Sequence, residues 1–101
     1  FSARIDRRIF LAEVGYPSVD GAAIAPWRIP TEADAIDLGE QAAAYRALER
    51  SLGRMPSVDG IVIWAWLGQG GPDDRWYTPR GKPAEAVVRR LLGHFRVGET
   101  R

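Results

Sequence analysis

The chain contains no cysteine. That excludes disulfides, thiolate metal sites and thiol catalysis, and leaves the redox state of its compartment open. Histidine is nearly absent too. His94 stands alone at the expected end of a helix, where meeting the last carbonyls is a commoner role than catalysis. Neither sign of charge is in excess: a net charge of +1 leaves no footprint for nucleic acid or an anionic membrane surface. No apolar run reaches the roughly 20 residues of a membrane span, and no signal-peptide pattern is visible. Cytoplasmic and secreted locations both stay open. Gly68, Gly70 and Gly71 fit neither a dinucleotide nor a P-loop spacing, and no helix follows them directly, so no cofactor is expected. Asp73 and Asp74 lack further oxygen ligands nearby and read as a turn, so no metal is expected either. No internal repeat or low-complexity tract is present.

What is present suits a packed, water-soluble piece of protein. The 46% apolar share can supply a core and the 27% charged share a surface. At 101 residues the chain holds one small domain at most. It opens on Phe1 rather than methionine, so further sequence upstream is expected. Four tryptophans are many for this length, and tryptophan serves binding surfaces as well as cores.

The organising stretch is Ile9-Phe10-Leu11-Ala12-Glu13, an apolar run of strand length ending on one carboxylate. Residues 1–7 are a polar lead-in. Gly15, Tyr16 and Pro17 stop the strand and open a connection, residues 14–30, long enough to suggest function. Thr31, with Asp34 three residues on, reads as the cap of a helix over 32–52. Its inner stripe would be Ile36, Ala43 or Ala44, Ala47, Leu48 and Leu52, with Gly53 as the stop. Residues 61–67 form a second apolar strand, and a second long loop covers 68–81. Pro83 opens a last helix whose apolar face is Ala84, Val87, Val88, Leu91, Leu92 and Phe95, ending near Gly93. Arg89 and Arg90 lie on its solvated face. Continuous apolar strands are expected to be buried on both faces. Two of them joined by a helix should be parallel, and a carboxylate at a strand's carboxyl end sits where α/β folds place ligand chemistry. A two-stranded parallel sheet cannot cover both its faces, so the piece needs more chain or a second copy.

Several segments together resemble one family. They are residues 11–23 (LAEVGYPSVDGAA), Pro26-Trp27, Gln41 and Tyr45, Gly60-Ile61 with Trp64-Ala65-Trp66, Tyr77-Thr78-Pro79, and Gly81-Lys82-Pro83-Ala84. Over about residues 9–92 the chain is similar to the C-terminal part of glycoside hydrolase family 113. That family comprises endo-β-mannanases with the retaining (β/α)8 TIM-barrel fold of clan A. The resemblance implies a βαβα portion of such a barrel, residues 9–13 being strand seven and 61–66 strand eight. The whole of 1–101 would then be a C-terminal fragment of a catalytic domain acting on a poly- or oligosaccharide such as β-1,4-mannan.

In that clan the nucleophile ends strand seven, which is Glu13 here, and the acid/base glutamate follows strand four, which has no counterpart in this chain. Retaining hydrolysis needs both carboxyl groups, about 5–5.5 Å apart, so the fragment alone is expected to be inactive. From the residues alone, a strand-end ion pair with an arginine is the commoner role for Glu13; the resemblance favours the nucleophile. Trp66, and next Trp64, are candidate stacking platforms for a sugar, with core packing expected of one of them. Tyr16 could hydrogen-bond nucleophile or sugar, or plug the strand end. Trp27 and Trp76 could line outer subsites or pin their loops. Two rivals remain: a non-catalytic glycan-binding or structural barrel piece, such as a phage-tail-like component, and a hydrolase of another clan A family.

Overall fold

The computed structural model describes residues 8–66 and 68–95. The lead-in at residues 1–7 and the strand position expected for Leu67 lie outside them. In chain order the elements are strand β1 (Ile9–Val14), helix α1 (Leu38–Leu52), strand β2 (Val58–Ile63) and helix α2 (Ala84–Gly93). The two strands pair in parallel, as a helical crossover between neighbouring strands requires. None of the described helices is long and apolar enough to cross a membrane.

Both helices cover the same face of the sheet. Val58, Ile61 and Ile63 meet Ala42 and Tyr45 of α1 and Ala84, Val87, Val88 and Leu91 of α2, with Ile9, Leu11, Leu48, Leu52, Leu92 and Phe95 around them. The apolar face expected of α2 is the one observed. The expectation that both strand faces are buried does not hold within this chain. Phe10 is 62% and Val62 46% exposed, because no described element lies across that side.

Strand β1 runs one residue further than the sequence reading, to Val14, and the start of α1 and both ends of β2 differ from it as well. Helix α1 starts at Leu38, capped by the Asp37 side chain on the Glu40 N–H, six residues after the expected start. Asp34 accepts from the Thr31 N–H at 2.7 Å and from Arg28 at 2.6 Å, closing a turn. Ile36 then bridges Val19 in extended conformation, with Asp37 N–H on the Ser18 carbonyl, and extended chain cannot continue a helix. The buried stripe of α1 is accordingly Gln41, Ala42, Ala44 and Tyr45. Ala43 and Ala47 face solvent, and Leu48 and Leu52 are half-buried as expected. Gly53 ends the helix in right-handed conformation. Strand β2 begins at Val58 because it pairs from there with Ile9, and it ends at Ile63 opposite Val14, where β1 runs out.

The two long connections are fastened to each other by a buried ammonium. Lys82 has no exposed side-chain surface and lies 3.3 Å from the Asp74 carboxylate. It also donates to Ser18 Oγ and to the Trp76 carbonyl, each at 3.0 Å. Ser18 Oγ donates to the Asp74 carbonyl. One cation thus joins the β1–α1 loop, the β2–α2 loop and the entry to α2. Burial draws the Lys82 pKa down, and the Asp74 charge partly opposes this. For Asp74 burial acts upward, but N–H donors from Trp76 and Gly70 and the Lys82 charge leave its pKa below the ordinary value. Around α2, Glu85 pairs with Arg89, and Glu49 of α1 receives Arg90 at 2.8 Å and the His94 ring at 3.3 Å. His94 therefore meets a carboxylate with its ring, and caps the helix through its backbone N–H.

Asp74→Asn leaves the Lys82 ammonium buried without a counter-charge and should destabilise the fold by about 3–5 kcal/mol, measured by denaturant unfolding. Adding Lys82→Met should restore part of that loss. Since the Asp74 pKa is lowered on folding, its contribution is complete above its ordinary 3.8 and fades as the pH falls further. A neutral Asp74→Asn would show that the pair carries no stability.

Candidate active site

Glu13 owes its direction to an irregularity in β1. Leu11 pairs with Ile61 and Val14 with Ile63, so Ala12 and Glu13 together oppose Val62. This is a β-bulge, a device that re-aims side chains at strand ends. Ile9 and Leu11 pack against the helices, and strict alternation would send residue 13 the same way. With the bulge, Ala12 and Glu13 are both exposed, on the side the helices leave open. The Glu13 carboxylate makes no hydrogen bond or ion pair among the described residues, and no described arginine pairs with it.

The carboxylate lines a cavity of about 360 Å³ together with Gly15, Pro26, Trp27, Trp64 and Tyr77. Trp64 is held at the end of β2 by its N–H on the Val14 carbonyl at 2.7 Å. Gly15 makes that approach possible, since a Cβ there would fall 1.5 Å from the Trp64 carbonyl oxygen. The Trp64–Ala65 peptide bond is cis. The Trp64 indole meets the Tyr77 ring nearly edge-on, with centroids 4.8 Å apart, and remains 38% exposed.

Tyr77 ties the far wall to this one. Its hydroxyl donates to the Pro26 carbonyl at 2.8 Å, with the Arg28 carbonyl at 3.3 Å. Those carbonyls flank Trp27, whose side chain is 76% exposed at the cavity rim. Burial raises the Tyr77 phenol pKa, with the Arg28 charge opposing. Beneath, the buried Gln41 amide of α1 donates to the Tyr16 carbonyl at 3.0 Å and the Tyr77 carbonyl at 3.3 Å, joining both loops to the helix.

Of the residues singled out in the sequence, Glu13, Trp27 and Trp64 come together. Trp66 is exposed but does not line this cavity, because the pairing that would continue strand alternation stops at Ile63. Tyr16 packs edge-on against Tyr45 at 5.0 Å, and its burial raises its pKa. Tyr77 and Gln41 were not singled out as site residues. Both lie in segments that carry the family resemblance, which was the available signal; Gln41 is in addition a lone amide on an alanine-rich helix face. Asp20, Asp37 and Glu40 have carboxylate oxygens within 4.8 Å of one another, a spacing that could hold a cation. Asp37 caps α1, however, and Glu40 accepts from the Gly21 and Ala23 N–H groups, so this group is engaged in shaping the loop.

Tyr77→Phe keeps the ring against Trp64 and removes the bonds to the Pro26 and Arg28 carbonyls. It should cost about 1 kcal/mol and speed tryptic cleavage after Arg28. Unchanged cleavage would show that the hydroxyl does not hold the Trp27 loop.

No family model matches the chain, and no curated protein does. Two solved structures match. One is described as a complex of a GH113 β-1,4-mannanase, with 26% identity, a TM-score of 0.75 and 90% of this chain covered. The other is described as a GH113 β-1,4-mannanase, with 26% identity, a TM-score of 0.74 and 90% covered. The chain spans 31% of the length of each. Its two parallel strands and two helices thus match part of a family 113 TIM barrel, and the chain resembles the C-terminal part of such a glycoside hydrolase.

Proposed function

We propose that this chain is the C-terminal portion, residues 1–101, of the catalytic barrel of a retaining β-glycosidase acting on β-1,4-mannan or a related β-glycan. β1 is barrel strand seven, β2 is strand eight, and Glu13 is the nucleophile. The observation that carries this is a carboxylate, unpaired among the described residues, at the carboxyl end of a parallel strand and lining an aromatic-walled cavity beside a bulge. Its chain matches mannanase structures over 90% of its length.

In this mechanism Glu13 attacks the anomeric carbon, and a second carboxylic acid protonates the departing oxygen. Water then hydrolyses the glycosyl ester with the second group acting as base. A rigid strand end suits a nucleophile better than a loop tip. Trp64, edge-braced by Tyr77, is the side chain best placed to pack on a sugar ring beside Glu13, and Trp27 closes the rim. Trp66 and Tyr16 keep lesser roles in recognition. The acid/base carboxylate comes from barrel strands outside this chain. Among the described residues Glu13 is the one carboxylate lining the cavity; the alternative reading for the chain is a non-catalytic glycan-binding or structural barrel piece.

Two tests follow. In a polypeptide supplying the remaining strands, Glu13→Gln should lower kcat by several orders of magnitude with substrate binding largely kept. Azide should partly restore turnover to Glu13→Ala and yield product of inverted anomeric configuration. Near-normal turnover of Glu13→Gln would end the nucleophile assignment. The second test concerns assembly. A strand face carrying Phe10 and Val62 uncovered, with Trp64 and Trp66 exposed just beyond the end of β2, should make the 101-residue chain self-associate or bind hydrophobic dyes. A sharply melting monomer in sedimentation and calorimetry would count against a barrel piece.

A further inference from the structure

A second groove lies beside the Glu13 cavity, and the function above does not use it. It has a volume of about 740 Å³ and runs between residues 30–32 of the β1–α1 loop and residues 68–76 of the β2–α2 loop. Trp76 and Tyr77 are neighbours in sequence but line different cavities: Tyr77 that of Glu13, Trp76 the groove.

The groove is firmly built. The Trp76 carbonyl accepts from Lys82 Nζ and from the Ser18 N–H, and its own N–H donates to the Asp74 carboxylate at 3.1 Å. Arg75 Nε donates to the Asp34 carbonyl at 2.7 Å, tying the groove's loop to the β1–α1 connection. The base of the loop is closed by the Gly71 N–H on the Arg80 carbonyl at 2.8 Å. Gly70, with φ near +84°, lies so close to Arg80 that a Cβ would stand 2.7 Å from that carbonyl oxygen. The backbone on both sides of Trp76 is therefore fixed, yet its indole is 40% exposed. Around it the Glu32, Gln69 and Asp73 side chains are unpaired among the described residues.

A fixed, uncovered indole rimmed by free carboxylates and an amide suits a neutral polyhydroxylated ligand. The indole face receives the C–H face of a pyranose, and the rim groups take its hydroxyls. Glu32 and Asp73 outnumber the Arg75 guanidinium that also lines the groove and is tied through Nε to the Asp34 carbonyl, so a phosphate-bearing or acidic ligand is not favoured. The volume falls within the range of small-ligand sites, with room for more than one sugar ring.

We propose that this groove is an accessory oligosaccharide-binding station, with Trp76 as its platform and Glu32, Gln69 and Asp73 as hydroxyl partners. The choice of a β-1,4-linked ligand rests on the function proposed above. The test titrates the full 101-residue chain with β-1,4-mannohexaose. The four indole N–H signals are followed by NMR and assigned by single Trp→Phe variants. The Trp76 signal should move, and Trp76→Ala should raise the Kd by at least about tenfold, as expected for deleting one large stacking surface. Glu32→Gln combined with Asp73→Asn changes only exposed positions and should also weaken binding.

Movement of Trp27 and Trp64 with Trp76 stationary would overturn the groove proposal and leave the catalytic reading intact. Movement of Trp76 alone would support the groove, with azide rescue in the completed barrel still deciding the Glu13 site. Silence of all four signals would overturn the groove, with azide rescue still deciding the nucleophile. An unchanged Kd in Trp76→Ala, corrected for folded fraction, would overturn it as well.

Discussion

Parallel pairing of two strands is the constraint from which the arrangement follows. Strands that run the same way finish at the same end, so the chain must leave both through that end and return by a helix. The pairing of Ile9 with Val58 and of Val14 with Ile63 therefore fixes where both long loops emerge. The Trp64 N–H on the Val14 carbonyl carries the contact one residue beyond the ladder. Glu13, Trp64, Trp27 and Tyr77 come from distant parts of the chain, and this shared strand end brings them to one cavity.

Loops of such length do not hold a shape through backbone preference alone. Here each is anchored from within. The Gln41 amide is a buried donor to a carbonyl of each connection, the buried Lys82 ammonium binds the Ser18 hydroxyl of one and the Trp76 carbonyl of the other, and the Tyr77 hydroxyl reaches back to the segment bearing Trp27. Buried donors of this kind impose direction, because each must find an acceptor or be left at a cost. The apolar contacts of the helices decide that the piece folds; these polar contacts decide how the strand ends are dressed.

The sequence made the strand–helix–strand–helix order legible because each element carries its own periodicity or apolar run. The α2 face from Ala84 to Phe95 could be read residue by residue. Parallel pairing and the location of Glu13 followed from that order, and the family resemblance was visible in segments spread over most of the chain. The start of α1 was not legible: Thr31 and Asp34 have the spacing of a helix cap, but Asp34 is claimed by Arg28 as well, a contact set by loop geometry. The burial of Gln41 and Tyr45 likewise depends on loops packing above α1. Trp64 and Trp66 were expected on one side of a strand, with Trp66 preferred as nearer its carboxyl end; β2 ends at Ile63, before both. The open face of the sheet was foreseen as a need for more chain, since two strands cannot shield both their sides.

The bulge at Ala12 and Glu13 also sets how this segment can change over evolutionary time. A strand stores facing as parity: each residue added or removed inverts every position beyond it. Here one extra residue converts the parity that holds Ile9 and Leu11 against the helices into the opposite parity for Glu13. Substitution at Ala12 leaves that arithmetic alone. Deletion of a single codon at Ala12 would remove the bulge and leave Glu13 next after Leu11, opposite Val62, so that plain alternation would keep the carboxylate on the open side and Val14 on Ile63. The segment should therefore tolerate loss of that one residue as well as its substitution, because the facing of Glu13 and Val14 survives either change.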